Sequence, residues 1–268
     1  MINGLNDEIF QTASFLTDTV LANDAFQHGR FVCPSHHCRD GCGASNRSYA
    51  PNLILQLRTR QERSELLEQY FLQHVLTSAA GYQIESWSRN EQVNSHIRAV
   101  LGSMKQHEPA EVFGKWRALA QSYNPETSNQ TLDQEAVCGA LEQYLRAGLW
   151  EMGYQGGIDP IVVSNSGQGC RDKLQCMAEK IVALRNTIHR LITSHHVHVV
   201  WWDAGRSFRL VKMTNELEKD VPAVDMDQVV ATLAIGLCVM DPEDVEDGDL
   251  DKFLLKPRVV LRSCLSHM

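Results

Sequence analysis

The longest regular pattern in the chain runs from 171 to 194, where Leu174, Met177, Ile181, Leu184, Ile188 and Leu191 recur at alternating steps of three and four. Such spacing draws one apolar seam along a helix, about 36 Å long at the helical rise per residue. It predicts a long central helix that joins everything before it to a β-like tail. Upstream, the apolar positions predict a helical layer. Ile9, Phe10, Ala13, Leu16 and Val20 fall on one side of a first helix ending near residue 23, with Asn6 as its cap and Asp7 and Glu8 in its first turn.

Four more helices are expected from their start signals. Thr59 with Glu62, Ser88 with Glu91 and Thr131 with Gln134 fit the capping box, and Pro109 suits a first helical turn. The apolar faces that follow are Leu66, Leu67, Tyr70 and Val75; Val93, Ile97, Val100 and Met104; Val112, Phe113, Trp116 and Leu119; and Val137, Leu141, Tyr144 and Leu145.

Gly153, Gly156 and Gly157, with Pro160 after them, interrupt the helical pattern and mark a boundary. The chain therefore divides into a helical region, 1–157, and a region of long helix plus small β unit, 158–268. Short apolar runs at Ile161 to Val163, Val197 to Trp202, Phe208 to Val211 and Val259 to Leu261 read as strands, with a turn at Gly205. The run from Val229 to Met240 fits a strand or a buried helix, which periodicity cannot separate. The expected fold class is α+β, predominantly α-helical, with an N-terminal helical layer, a long central helix and a small C-terminal β unit.

Composition narrows the partners. The 268 residues carry a formal net charge of -8 and no basic stripe, which argues against nucleic acid, since phosphates must be neutralised by clustered Lys and Arg. No segment has the apolar length to span a bilayer, and Asp7, Glu8, Asp18 and Asp24 interrupt any signal-peptide core. An intracellular, cytoplasmic protein without membrane association is expected, its eight cysteines reduced, buried or metal-bound.

Residues 28–52 lose periodicity and collect Cys33, His36, His37, Cys38 and Cys42. Thiolates and imidazoles so close in a loop can close a tetrahedral zinc site, although the paired CxxC knuckles of a zinc finger are missing, and free thiols are the competing reading. A second group, His195, His196 and His198, opens a strand. Alternation places His196 and His198 on one face with Trp202, and His195 on the other with Asp203. An HxH pair is a metal or catalytic half-site, so His196, His198 and Asp203 are the catalytic candidates. Capping of the preceding helix end is the plainer reading.

Ser166 to Gly169 offers a lone GxG before the central helix, without the third glycine of a dinucleotide fingerprint, and no nucleotide cofactor is expected from it. Around Gly248, Val245 stands where a calcium loop needs an oxygen ligand. No hydrolase, zinc-protease, P-loop or kinase motif occurs. The expected function is a protein-interaction or regulatory module without its own catalysis, acting on a protein partner or a second copy of itself. The alternative is a small metal- or His-dependent enzyme with a pocket between the helical layer and the β unit, zinc being the cofactor the residues suggest.

Overall fold

The computed structural model describes residues 1–18, 53, 65–88, 90–126, 129–152, 165–217, 225–240 and 251–267. Among them are the helices α1 (Ile2–Leu16), α2 (Glu65–Glu85), α3 (Glu91–His107), α4 (Ala110–Ser122), α5 (Gln130–Glu151) and α6 (Asn165–Asn186). Then come strands β1 (His196–Val200), β2 (Thr214–Asn215), β3 (Val229–Ala234), β4 (Gly236–Met240), β5 (Asp251–Leu255) and β6 (Arg258–Leu261). This is the mostly helical α+β fold expected from the sequence, with two small three-stranded sheets.

Both sheets grow from one bent hairpin. β3 and β4 follow each other with only Ile235 between them, and they pair antiparallel with β6 and β5, which are separated by Lys256 and Pro257. The apolar run Val229 to Met240 is therefore two strands in tandem. At the bend, Gly236 lies so close to Pro257 that an added Cβ would sit 2.5 Å from the proline ring, so only glycine fits. β1 extends one half by pairing with β4, and β2 extends the other by running parallel to β6.

Among the described residues the outer edge of β3 has no strand beside it, and helices cover it instead. Gln73 and Thr77 of α2 donate to the Leu233 carbonyl at 2.9 and 3.1 Å, and the Thr232 N–H donates to His74 Nδ1 at 2.9 Å. Asn6 of α1 bonds to Ile235. These buried polar side chains satisfy backbone groups that would otherwise be desolvated without partners.

α2 is the most enclosed helix, touching α1, α5, α6, β1 and β3. Its residues from Tyr70 to Ala80 are buried on nearly every side, as a helix apolar all round should be. α6 packs on α1 and α5, and its seam holds from Leu174 through Ile188. Leu191 departs from the expectation and is 75% exposed. The helix continues past Asn186 as a π-helical turn, Thr187–Leu191, whose wider winding carries Leu191 off the seam.

Other local expectations are corrected by better partners. α1 begins at Ile2, so Asn6 is not its cap but a buried residue serving β3. Asn90 caps α3 and Asn129 caps α5, each accepting two amide hydrogens, in place of Ser88 and Thr131. On α4 the inward line is Phe113, Gly114, Arg117 and Gln121, while Val112 and Leu119 are exposed. Gly114 sets that rotation, because it lies against the Thr193 carbonyl too closely for any side chain. Phe208 is buried, but 208–211 forms no strand: 208–209 is irregular and 210–212 is a turn, with Ser207 bridging to Gln228. Ser166 to Gly169 belong to the first turns of α6 rather than to a loop before it. The Cys/His-rich stretch 28–52, the Thr59 signal and Ile161 to Val163 lie outside the described residues. No helix among the described residues is long and apolar enough to cross a membrane.

Candidate functional site

Among the described residues β1 is an edge strand, with β4 on one side and no strand on the other. Along that free edge lies a cavity of about 540 Å³ between the helices and the sheet. Because the cavity follows an edge rather than a face, consecutive residues reach it: His196, Val197, His198 and Val199 all line it. The opposite wall comes from Tyr82 and Glu85 at the end of α2, Trp87 beyond it, and Phe113 and Arg117 of α4. His189 of the π turn closes one end, and Arg98, Leu101 and Gly102 of α3 form the roof. Glu85 caps the strand edge by accepting a hydrogen bond from the Val199 amide at 3.1 Å.

α3 holds this place mainly through its first turns. Asn94 is the one buried residue among those of α3 whose burial is described; the Asn94 Oδ1 accepts from the Trp87 and Ser88 amides at 2.9 and 2.8 Å. Glu91 accepts from the Tyr82 hydroxyl and pairs with Arg98 at 3.1 Å. Further along, Ile97, Val100, Leu101 and Met104 are only half-buried, so the roof's apolar face is incompletely covered.

The two sequence-predicted imidazoles are both in this cavity. His196 is buried, and its ring packs on Phe113 with centroids 4.4 Å apart. His198 faces its cross-strand partner Cys238, with Nε2 2.8 Å from a fully buried Sγ. Asp203 is exposed on the turn beyond β1 and does not line the cavity, and β1 ends at Val200, before Trp202. His195 is exposed and contacts Ser194. No group of three or more His, Cys, Asp or Glu able to hold a metal occurs among the described residues; Cys33, His36, His37, Cys38 and Cys42 lie outside them.

Two side chains that the sequence reading passed over carry the electrostatics. His189 is buried, and its Nε2 contacts the Ile84 carbonyl at 2.9 Å. A carbonyl only accepts, so Nε2 carries the proton and Nδ1 presents a lone pair. Burial, reinforced by the Arg117 and Arg185 guanidinia and opposed by the hydrogen bond to the Ile84 carbonyl, pushes the pKa of His189 down to about 4. Arg117 is also buried, and its guanidinium lies over the Phe113 ring and donates to the Ile192 carbonyl. Burial lowers its proton affinity, and the charge of Glu85 opposes that shift. The available signal was a polar stripe: Arg117 stands four residues after Phe113 and Gln121 four after that, all turned inward.

A neighbouring cavity of about 390 Å³ shares Tyr82 and Trp87 but has a polar lining that includes Ser86, Asp133 and Arg185. There the buried Arg185 is paired with the buried Asp133. No protein-family model, no curated protein and no solved structure matches the chain.

Proposed function

We propose that the protein is a regulatory binding module: a small, partly apolar molecule occupies the cavity along β1, and its occupancy is passed to a protein partner or a second copy through the α3–α4 helices. The observation that carries this reading is the roof. α3 covers a 540 Å³ space of the size that suits a small ligand, yet contributes no fully buried apolar side chain of its own. A ligand below it would complete the packing of Leu101 and its neighbours and so fix the helix. The same two helices turn Val93, Val112, Leu119 and Tyr123 outward to solvent, where a partner would read the change. Cys238, the one thiol next to an imidazole of the site among the described residues, is fully buried and outside the cavity lining, which favours binding over chemistry.

The test uses Gly102, which lines the cavity and whose added Cβ would meet open space. A neutral apolar probe such as 2-naphthol is expected to bind the wild-type chain and to slow hydrogen exchange across α3. Gly102→Phe, filling the space, is expected to abolish both effects while keeping the fold. Equal binding to the variant, or no change in exchange over α3, would defeat the reading.

A further inference from the structure

Residues of an antiparallel strand turn their main-chain N–H and C=O groups alternately toward the paired strand and away from it. The Val199 amide of β1 points away from β4, because it donates to the Glu85 carboxylate at 3.1 Å, and both residues line the cavity. The register between β1 and β4 runs without a shift from His196↔Met240 to Val200↔Gly236. Val197, two residues before Val199, therefore turns its N–H and C=O to the same side, off the sheet and toward the cavity that it also lines. Val197 is 7% exposed, and neither group has a hydrogen-bond partner among the described residues. The edge of β3 supplies the internal comparison. There helix side chains answer the main chain at Thr232, Leu233 and Ile235 through His74, Gln73 with Thr77, and Asn6. Buried main-chain groups are ordinarily satisfied in that way. On the β1 edge Glu85 does so for Val199, and Val197 is left to whatever fills the cavity.

Resting on the binding reading above, we infer that the ligand is a short, neutral, apolar peptide unit: one extended amino-acid residue held between two amide bonds and laid antiparallel to Val197 as an added piece of strand. Its own carbonyl accepts from the Val197 N–H, and its own N–H donates to the Val197 carbonyl, the reciprocal exchange of a hydrogen-bonded antiparallel pair. A single amide bond does not suffice, because its N–H and C=O point in opposite directions. Glu85 already holds the next outward amide, so the pairing ends after one residue. Trp87, Leu101 and Phe113 line the same space and receive the apolar side chain. The charges around the cavity are offset within the protein, Arg98 by Glu91 at 3.1 Å and Arg117 by Glu85, which favours a ligand without charge of its own.

The experiment titrates the wild-type chain by calorimetry with three probes: N-acetyl-3-(2-naphthyl)-L-alanine N-methylamide, the isostere in which an ester oxygen replaces the acetylated N–H, and 2-naphthol. The capped residue is expected to bind about tenfold tighter than the ester isostere, the effect of one shielded hydrogen bond. It should also slow hydrogen exchange of the Val197 amide beyond any effect of 2-naphthol. Val197→Pro removes the N–H at a position where an edge strand tolerates proline, and it should weaken the capped residue more than 2-naphthol. If that variant does not fold, the wild-type series decides alone. A heptapeptide with the same central residue should bind more weakly than the capped residue, and equal or tighter binding overturns the limit to one residue. Equal binding of the amide and its ester isostere, or binding of 2-naphthol alone, overturns the peptide class and leaves the cavity reading standing. Failure of every probe, 2-naphthol included, overturns both the class and the reading beneath it.

Discussion

The side-chain amide of Asn6 and the backbone of Ile235 exchange two hydrogen bonds, Nδ2–H to the carbonyl at 3.0 Å and the Ile235 N–H to Oδ1 at 3.0 Å. A residue in the first turns of α1 thus acts as the missing strand neighbour at the point where the chain leaves one sheet for the other. Asn6→Leu is expected to cost roughly 2–4 kcal/mol, since it deletes both bonds and strands a buried N–H and carbonyl. Urea denaturation measures it directly. A loss below about 0.5 kcal/mol, the usual range for a surface substitution, would mean that the bend at Ile235 does not depend on α1.

The buried pair Asp133 and Arg185 joins α5 to α6. Asp133→Ala leaves the guanidinium enclosed with only the Gln83 carbonyl at 3.4 Å, and a loss of roughly 3–5 kcal/mol follows. The double change Asp133→Leu with Arg185→Met should recover most of that loss, because two apolar groups replace two desolvated charges. A double variant as unstable as the single one would show that the pair does more than neutralise itself.

On the central helix, Leu184 and Leu191 belong to one sequence pattern but to different environments, 5% and 75% exposed. Leu184→Asp is expected to unfold the chain, a buried charge costing several kcal/mol. Leu191→Asp should change stability by less than about 0.5 kcal/mol. Melting temperatures of the two variants distinguish a straight helix, in which both would be damaging, from one that widens into a π turn.

That contrast also separates what periodicity can reveal from what it cannot. Apolar repeats and start signals located all six described helices, the β1 and β6 strands and the α6 seam as far as Ile188, because a repeating apolar face is a local property of the sequence. The π turn, the bend at Ile235 and the replacement of Ser88 by Asn90 as a cap depend on competition among partners distant in the chain. At the site, HxH on a strand pointed to His196 and His198, and both line the cavity. Arg117 and His189 were hidden because each sits in a stretch read for its apolar positions, and a polar side chain turned inward leaves no periodic mark. Asp203 was proposed from strand alternation, and β1 ends before alternation could place it.

Two buried imidazoles give the protein a defined acid sensitivity. Burial pushes both His74 and His189 from 6.5 down to about 4; nearby Asp203 opposes the shift at His74, while Arg117 and Arg185 reinforce it at His189. In the unfolded chain each would titrate near its ordinary value. Between pH 6.5 and 4 the unfolded state therefore binds up to two more protons than the folded one, and stability rises with pH in that window. The stabilisation is present above 6.5 and is lost as pH falls toward the folded-state values. From pH 7 to pH 5 the loss should reach roughly 4 kcal/mol for the pair, with the slope set by about 1.4 kcal/mol per proton and pH unit. Glu8, held low by Lys180 and Cys176 against its own burial, is lost only at more acid pH, so it does not blur the reading. Urea midpoints measured at half-unit steps give the slope, and His74→Gln, which still offers the Thr232 N–H an acceptor, should remove about half of it. A profile flat from pH 7 to 5 would mean that the two rings are solvated enough to take up protons in the folded state.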